Sequence, residues 1–243
     1  MTEPQGAQNL GSLDRDGLVR LCEELGQPRF RAKQLEKWLY GQVIDDPALM
    51  TNLPAGMREQ LTEGRVSTIP VLERRVDSTD GTRKYLWRLS DGETVESVGL
   101  PEDNRLTVCF STQAGCGMGC GFCATGLGGL ARSLTPGEMT WQVLLVGRDF
   151  ERRVTNAVAM GQGEPFANYD NTLAALRFLN APDGGGIGAR RIAVSTCGVI
   201  PGIERFSREP EQFTLAVSLH SAIQETRDRL MPGAVSYTHL RAH

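Results

Sequence analysis

Apolar residues recur at helical spacing through the first quarter of the chain. Leu18, Leu21, Cys22 and Leu25 share one face, and Gly26 and Pro28 then stop the helix. Phe30, Leu35, Trp38 and Leu39 repeat the pattern, and Pro54 suits the first turn of a third helix that closes near Leu61. This helical stretch covers 12–61, after a polar opening decade expected to be disordered. From 71 to 100 the period shortens to two. Tyr85, Trp87 and Leu89 alternate with Lys84, Leu86 and Arg88, and Asp80-Gly81 and Asp91-Gly92 are hairpin-turn pairs, so a short meander is predicted. Beyond Arg105 the rhythm predicts strands over 106–111, 155–160, 191–195 and 214–219. Helices are predicted to begin near Thr135, Asn168, Pro201 and Ile223. Thr135-Pro136 with Glu138 reads as a capping box with proline in the first turn. Strands alternating with helices imply parallel pairing, hence an α/β fold with a β/α barrel or open sheet. In such folds chemistry gathers at the carboxyl ends of the strands.

A chain of 243 residues, 40% hydrophobic and 23% charged, can bury a sizeable core. No apolar run is long enough to span a bilayer, so no membrane partner is expected. The opening MTEPQGAQNL has neither a basic nor an apolar region of a secretory signal, which favours a cytoplasmic location. A net charge of −3 argues mildly against a large nucleic-acid footprint. The local basic groups Arg29, Arg31, Lys33 and Lys37, then Arg83, Lys84 and Arg88, read on charge alone as solvated faces.

Cysteine placement changes the picture. Of six cysteines, Cys109, Cys116, Cys120 and Cys123 crowd into fifteen residues, which points to metal in a reducing compartment rather than a disulfide framework. Cys116-Gly-Met-Gly-Cys120-Gly-Phe-Cys123 has the spacing C-x3-C-x2-C in a glycine-rich loop after the first predicted parallel strand. Three thiolates can hold three irons of a cubane and leave one metal corner open. An open iron suits a chelating amine and carboxylate, both of which S-adenosylmethionine (SAM) carries. The motif resembles the radical SAM signature, with Phe122 before the last cysteine. The competing reading is tetrahedral zinc on Cys109, Cys116, Cys120 and Cys123. Cys22 and Cys197 read as core residues.

Several ordered segments narrow the resemblance. They are Asp80-Gly-Thr-Arg-Lys-Tyr, Gly92-Glu-Thr-Val-Glu96-Ser-Val, Pro101-Glu-Asp-Asn-Arg105-Leu-Thr-Val-Cys109 and Ser111-Thr-Gln-Ala-Gly-Cys116. Met160-Gly-Gln-Gly-Glu164-Pro165, Ser195-Thr-Cys-Gly198, Ser218-Leu-His220 and the stretch from Phe30 to Trp38 continue the series. Together they resemble the RlmN/Cfr family of RNA adenine methyltransferases over about residues 12–232. The resemblance implies a partial (β/α) radical SAM barrel over 105–232, preceded by a helical accessory domain over 1–70 and a β-hairpin or meander linker over 71–104. It implies a [4Fe-4S] cluster on Cys116, Cys120 and Cys123. SAM would be held by Gly163, Glu164, Ser195, Ser218, Leu219 and His220. Glu96 would be the general base, and Cys109 the thiol that releases the product by forming a disulfide. The implied partners are 23S rRNA, tRNA and an electron donor such as a flavodoxin. The implied reaction is methylation at C2 of adenine through a methyl-cysteine. A C8-directed enzyme, a radical SAM enzyme with a small-molecule substrate, and a non-catalytic zinc- or RNA-binding protein are the alternatives.

The chain departs from the family pattern at its end. The family's methyl-carrying cysteine lies near the C-terminus, and no cysteine follows Cys197 here. The likeness stops at Pro232, and the stretch over 233–243 ends in Val-Ser-Tyr-Thr-His-Leu-Arg-Ala-His, which resembles translated adapter sequence. The expectation is an incomplete barrel, unable to complete full turnover, with an unpaired edge strand and poor solubility.

Overall fold

A computed structural model describes residues 10, 13, 15–63 and 69–234. The expectations for the polar opening before Leu10 and for the tail from Val235 lie outside the described residues. Three helices open the chain: α1 (Arg15–Glu24), α2 (Arg31–Glu36) and α3 (Ala55–Thr62). Leu18, Leu21, Cys22, Leu35, Leu39, Met57 and Leu61 are buried together between them. Past Glu36 the helix widens into a π-turn over Lys37–Gly41, which turns both Leu39 and Tyr40 inward. Trp38 stays at the margin, where its indole N–H donates to Asn52 Oδ1 at 2.6 Å. Pro54 is the N-cap of α3 rather than its first residue, one position before the expected place.

The next strands are β1 (Val71–Asp77), β2 (Arg83–Arg88), β3 (Thr94–Glu102) and β4 (Arg105–Cys109), each antiparallel to the one before. Gly81 and Gly92 turn the two expected hairpins with φ of +86° and +93°. Three parallel strands follow: β7 (Asn156–Ala159), β8 (Ile192–Thr196) and β9 (Thr214–Val217). All seven form one sheet in the order β1-β2-β3-β4-β7-β8-β9. The meander thus reaches the parallel strands as part of the same sheet. The loop between β4 and β7 carries a separate two-stranded ribbon, β5 (Gln113–Gly115) with β6 (Leu130–Ser133), and the short helix α4 (Ala124–Leu127). Segments of three or four residues are too short to display a period, so this ribbon leaves no trace in the hydrophobic pattern.

Four further helices complete the α/β part: α5 (Pro136–Asp149), α6 (Tyr169–Asn180), α7 (Ile200–Phe206) and α8 (Gln224–Leu230). The capping box at Thr135 and Glu138 forms as the sequence implies. Strand side chains alternate between two environments. Tyr85, Trp87, Val95, Leu106, Val108, Ala157, Ile192 and Val194 point into the main core with Met139, Val143, Val146 and Leu176 from α5 and α6. Burying each large apolar side chain there is worth roughly 1.5–3 kcal/mol. The opposite face is only partly covered, and it carries Glu96, Cys109, Val158 and Ser195. The N-terminal helices dock on the far side of α5 and α6. Trp141 of α5 is fully buried in their core, and Tyr40 packs 5.6 Å from its ring and 4.2 Å from that of Phe178.

Candidate active site

Loops from the carboxyl ends of β4, β7, β8 and β9 converge on one cavity of about 300 Å³. The cysteine loop is shaped by backbone contacts that glycine permits. Gly115 sits at φ +75°, where a Cβ would collide with the carbonyl oxygen of Gly129, and the Cys116 amide donates to that same oxygen at 2.8 Å. The far side of the loop is strapped to the last residue of α8 and to the segment after it. Gly121 N–H donates to Leu230 O at 2.9 Å, and Gly233 N–H donates to Met118 O at 3.2 Å. Phe122, half-exposed, lies 4.5 Å from the His220 ring.

Cys116, Cys120 and Cys123 all line the cavity, together with Gly163, Glu164, Ser195, Ser218 and His220. Ser195 and Ser218 bring their hydroxyls within 3.0 Å of each other. His220 stands at φ +54°, a left-handed conformation uncommon outside glycine, which aims its ring at the cluster loop. Glu164 is buried, and its carboxylate is held by two backbone amides: Oε1 accepts from Phe166 N–H at 3.0 Å and Oε2 from Cys197 N–H at 2.8 Å. Gly163 at φ +100° packs so closely on Gln113 that a Cβ would have no room.

Three of the expected site residues are not on the cavity wall. Leu219 turns outward and contributes its carbonyl, which accepts from Arg227 Nη1 at 2.5 Å. Cys109 ends β4 on the open sheet face, the face that also carries Ser195. Glu96 lies on that face too, one strand over, with its carboxylate 2.8 Å from Lys84 Nζ. Cross-strand neighbours on one face are the pairs that can act together, and Val98, two residues after Glu96, is the partner of Cys109.

The reverse case is Cys197, which sequence reasoning places in the core. It is buried, yet it lines the cavity beside the three loop cysteines. Burial and the nearby Glu164 carboxylate push its thiol far above the ordinary range. No spacing signal links it to the loop, because 74 residues separate Cys123 from Cys197 and only the parallel sheet brings them together. Arg227, unassigned by sequence, is fully buried behind the same wall.

Burial raises the thiols of Cys116 and Cys120. Neighbouring acidic groups raise them further: Cys123 and Glu164 for the first, Cys116 and Cys123 for the second. Such mutual repulsion disappears when a cationic metal centre takes the sulfurs. The wall offers four thiols, three from the loop and that of Cys197, with a carboxylate and hydroxyls, and no Lys or Arg lies among its lining residues. That donor set fits an iron–sulfur cluster and a SAM ammonium group. Among the described residues, no three His, Cys, Asp or Glu side chains form a ready single-ion group. All six cysteines are free thiols. No helix among the described residues is long and apolar enough to cross a membrane.

A parallel sheet with a C-x3-C-x2-C loop at its carboxyl edge, facing a buried carboxylate, is the architecture of a radical SAM protein. Residues 110–243 match the radical SAM superfamily, and residues 8–66 match the ribosomal RNA large subunit methyltransferase N-terminal domain. The chain is 47% identical over 225 residues to a protein of Pelotomaculum thermopropionicum described as "Probable dual-specificity RNA methyltransferase RlmN", covering 92% of this chain and 61% of that one. A protein of Synechococcus elongatus with the same description is 49% identical over 218 residues, covering 87% and 60%. The crystal structure of a radical SAM methyltransferase from Sphaerobacter thermophilus superposes with a TM-score of 0.86 at 43% identity, covering 93% of this chain and 67% of that one. The chain belongs to the RlmN/Cfr family of the radical SAM superfamily. It spans about three fifths of the length of these curated relatives.

Proposed function

We propose that this chain forms the cluster- and SAM-binding part of a radical SAM RNA methyltransferase that acts on C2 of adenine in 23S rRNA and tRNA. One observation carries the reading: three loop thiols, the amide-held Glu164 carboxylate and the Ser195–Ser218 hydroxyl pair share one cavity. Cys116, Cys120 and Cys123 would hold a [4Fe-4S] cluster, which with SAM bound would supply one-electron cleavage of the sulfonium. Glu164 and the Gly163 backbone would receive the SAM ammonium end, and a carboxylate already fixed by two amides needs no reorganisation to do so. Ser195, Ser218 and the His220 ring would orient the rest of the cofactor. On the open sheet face Glu96 would take the ring proton of the adenine; in a protein that also carries the methyl-bearing cysteine, the Cys109 thiolate would form an S–S bond to that sulfur as its bond to the product carbon breaks, the electron pair leaving on the carbon, which takes up a proton. The relatives' descriptions name RNA methylation, and the N-terminal match supports an rRNA substrate. A cytoplasmic setting with a flavodoxin-type electron donor suits an exposed, reducible cluster.

Anaerobic reconstitution with iron and sulfide tests the first half. The expected product is brown, holds iron and sulfide in equal amounts, and changes its electron paramagnetic resonance spectrum when SAM is added; Cys120→Ser abolishes all three. A colourless zinc protein would sink the reading. For the second half, the masses and positions of methylated adenines in RNA from a complemented knockout host discriminate C2 from the C8 alternative.

A further inference from the structure

Four loops build the cavity, and a continuous line of hydrogen bonds, buried at Glu164 and Cys197 and part-buried at its ends, ties them to one another. It begins at Gln113 on β5, three residues before Cys116. Gln113 is buried, and its Oε1 accepts from the Glu164 N–H at 2.9 Å while its Nε2 donates to Ser133 Oγ at 3.2 Å. Glu164 Oε2 then accepts from Cys197 N–H at 2.8 Å. The Cys197 carbonyl accepts from Arg227 Nη2 at 2.6 Å, and Arg227 Nη1 donates to Ser218 O at 3.1 Å and Leu219 O at 2.5 Å. The line therefore runs from the cluster loop through the β7 loop and the end of β8 to the loop after β9.

We infer that Gln113 and Arg227 are positioning residues that set the distance between the cluster loop and the SAM-binding groups, and that Arg227 is the hub on the β8–β9 side. The inference rests on the SAM-binding reading of the cavity. Neither side chain is needed to hold iron, and Gln113 and Arg227 do not line the wall. Each acts through another group: Gln113 through Glu164, and Arg227 through Cys197, Ser218 and Leu219. The guanidinium is a planar fork, so one side chain reaches three carbonyls on two loops at fixed angles; an ammonium cannot reproduce that spread. Hydrogen bonds in a dry interior are costly to leave unmade, which makes the line rigid rather than merely connected. Gly163 has no room for a Cβ against Gln113, so this contact cannot open without displacing the Glu164 loop.

The test uses the full 243-residue chain loaded anaerobically with cluster. Gln113→Met keeps the shape and removes the acceptor; Arg227→Lys keeps the charge and removes the fork. Iron and sulfide content, SAM affinity by equilibrium dialysis, and the spectrum of the reduced cluster with and without SAM are measured for each. Both variants are expected to keep the cluster content of the parent and to bind SAM about tenfold or more weakly, with a smaller spectral change on SAM addition. SAM affinity within twofold of the parent in both variants overturns the proposal. So does loss of cluster in proportion to loss of affinity, which marks a purely structural role. If the parent itself holds a cluster and binds no SAM, the cofactor reading fails instead, and that outcome is seen before any variant is made.

Discussion

Cys109 shows how one residue's setting decides its chemistry. It ends β4 on the open sheet face, and burial pushes its thiol up to about 11 although the Met160 amide pulls the other way. At neutral pH it is therefore a thiol, not a thiolate, and it becomes a nucleophile only when a base or a bound substrate changes its surroundings. Alkylation of Cys109 by iodoacetamide, followed by peptide mass analysis, should rise with pH toward a midpoint near 11; a midpoint at the ordinary thiol value near 8.5 would contradict this placement. The C-x3-C-x2-C loop was legible in the sequence because its ligands are neighbours in the chain. Cys197 was not, because its membership of the cavity is a fact of tertiary packing. Leu219 shows the converse: it sits in a motif, yet its side chain turns outward and its carbonyl bonds Arg227 behind the cavity wall.

Among the elements, α5 is the pivot between the two cores. Its N-terminus is capped by Thr135 and Glu138, and Trp141 on its outer side belongs to the N-terminal helical cluster. Its last residue, Asp149, is an acid at the negative end of a helix, an unfavourable place. Tyr85 OH, Arg83 and Arg75 donate to it at 2.6, 2.7 and 2.9 Å, which converts the liability into a staple between α5 and the β1–β2 hairpin. Burial pushes this carboxyl up, but the three donors outweigh it and leave it below the ordinary range. A depressed folded value means that the stabilisation is present above the unfolded value near 4 and is lost as pH falls through the folded one. Asp149→Asn should therefore cost about 1–2 kcal/mol at neutral pH and flatten the acid limb of the melting-temperature profile below about pH 4. An unchanged acid limb would refute the staple. The meander was legible as two hairpins from its Asp-Gly turn pairs, but the third hairpin, from β3 to β4 through Asp103-Asn104, was not, since that two-residue turn lacks the glycine that marks the other two.

For the molecule as a whole, the sheet divides labour between its faces. One face buries Tyr85, Trp87, Leu106 and Val108 against helices, and the other carries Glu96, Cys109 and Ser195. The described sheet ends at β9, where Leu215 and Val217 are 36% and 43% exposed. An apolar edge strand is a template for self-association. The 243-residue chain is expected to form concentration-dependent oligomers in sedimentation, and Leu215→Lys with Val217→Lys should shift it toward monomer. A monodisperse parent with no response to these substitutions would argue that the edge is protected. Local order in the chain, namely helical and alternating periods, turn pairs, a capping box and a tight cysteine spacing, was enough to determine the α/β class and to single out Cys116, Cys120 and Cys123 as the proposed cluster ligands, because each depends on residues a few positions apart. Which distant groups meet was decided by the tertiary structure alone. The parallel register brings Cys197, Ser218 and Arg227 toward the loop of Cys116 through contacts between segments tens of residues apart that no local pattern encodes, and the β3–β4 pairing puts Glu96 and Cys109 on one face.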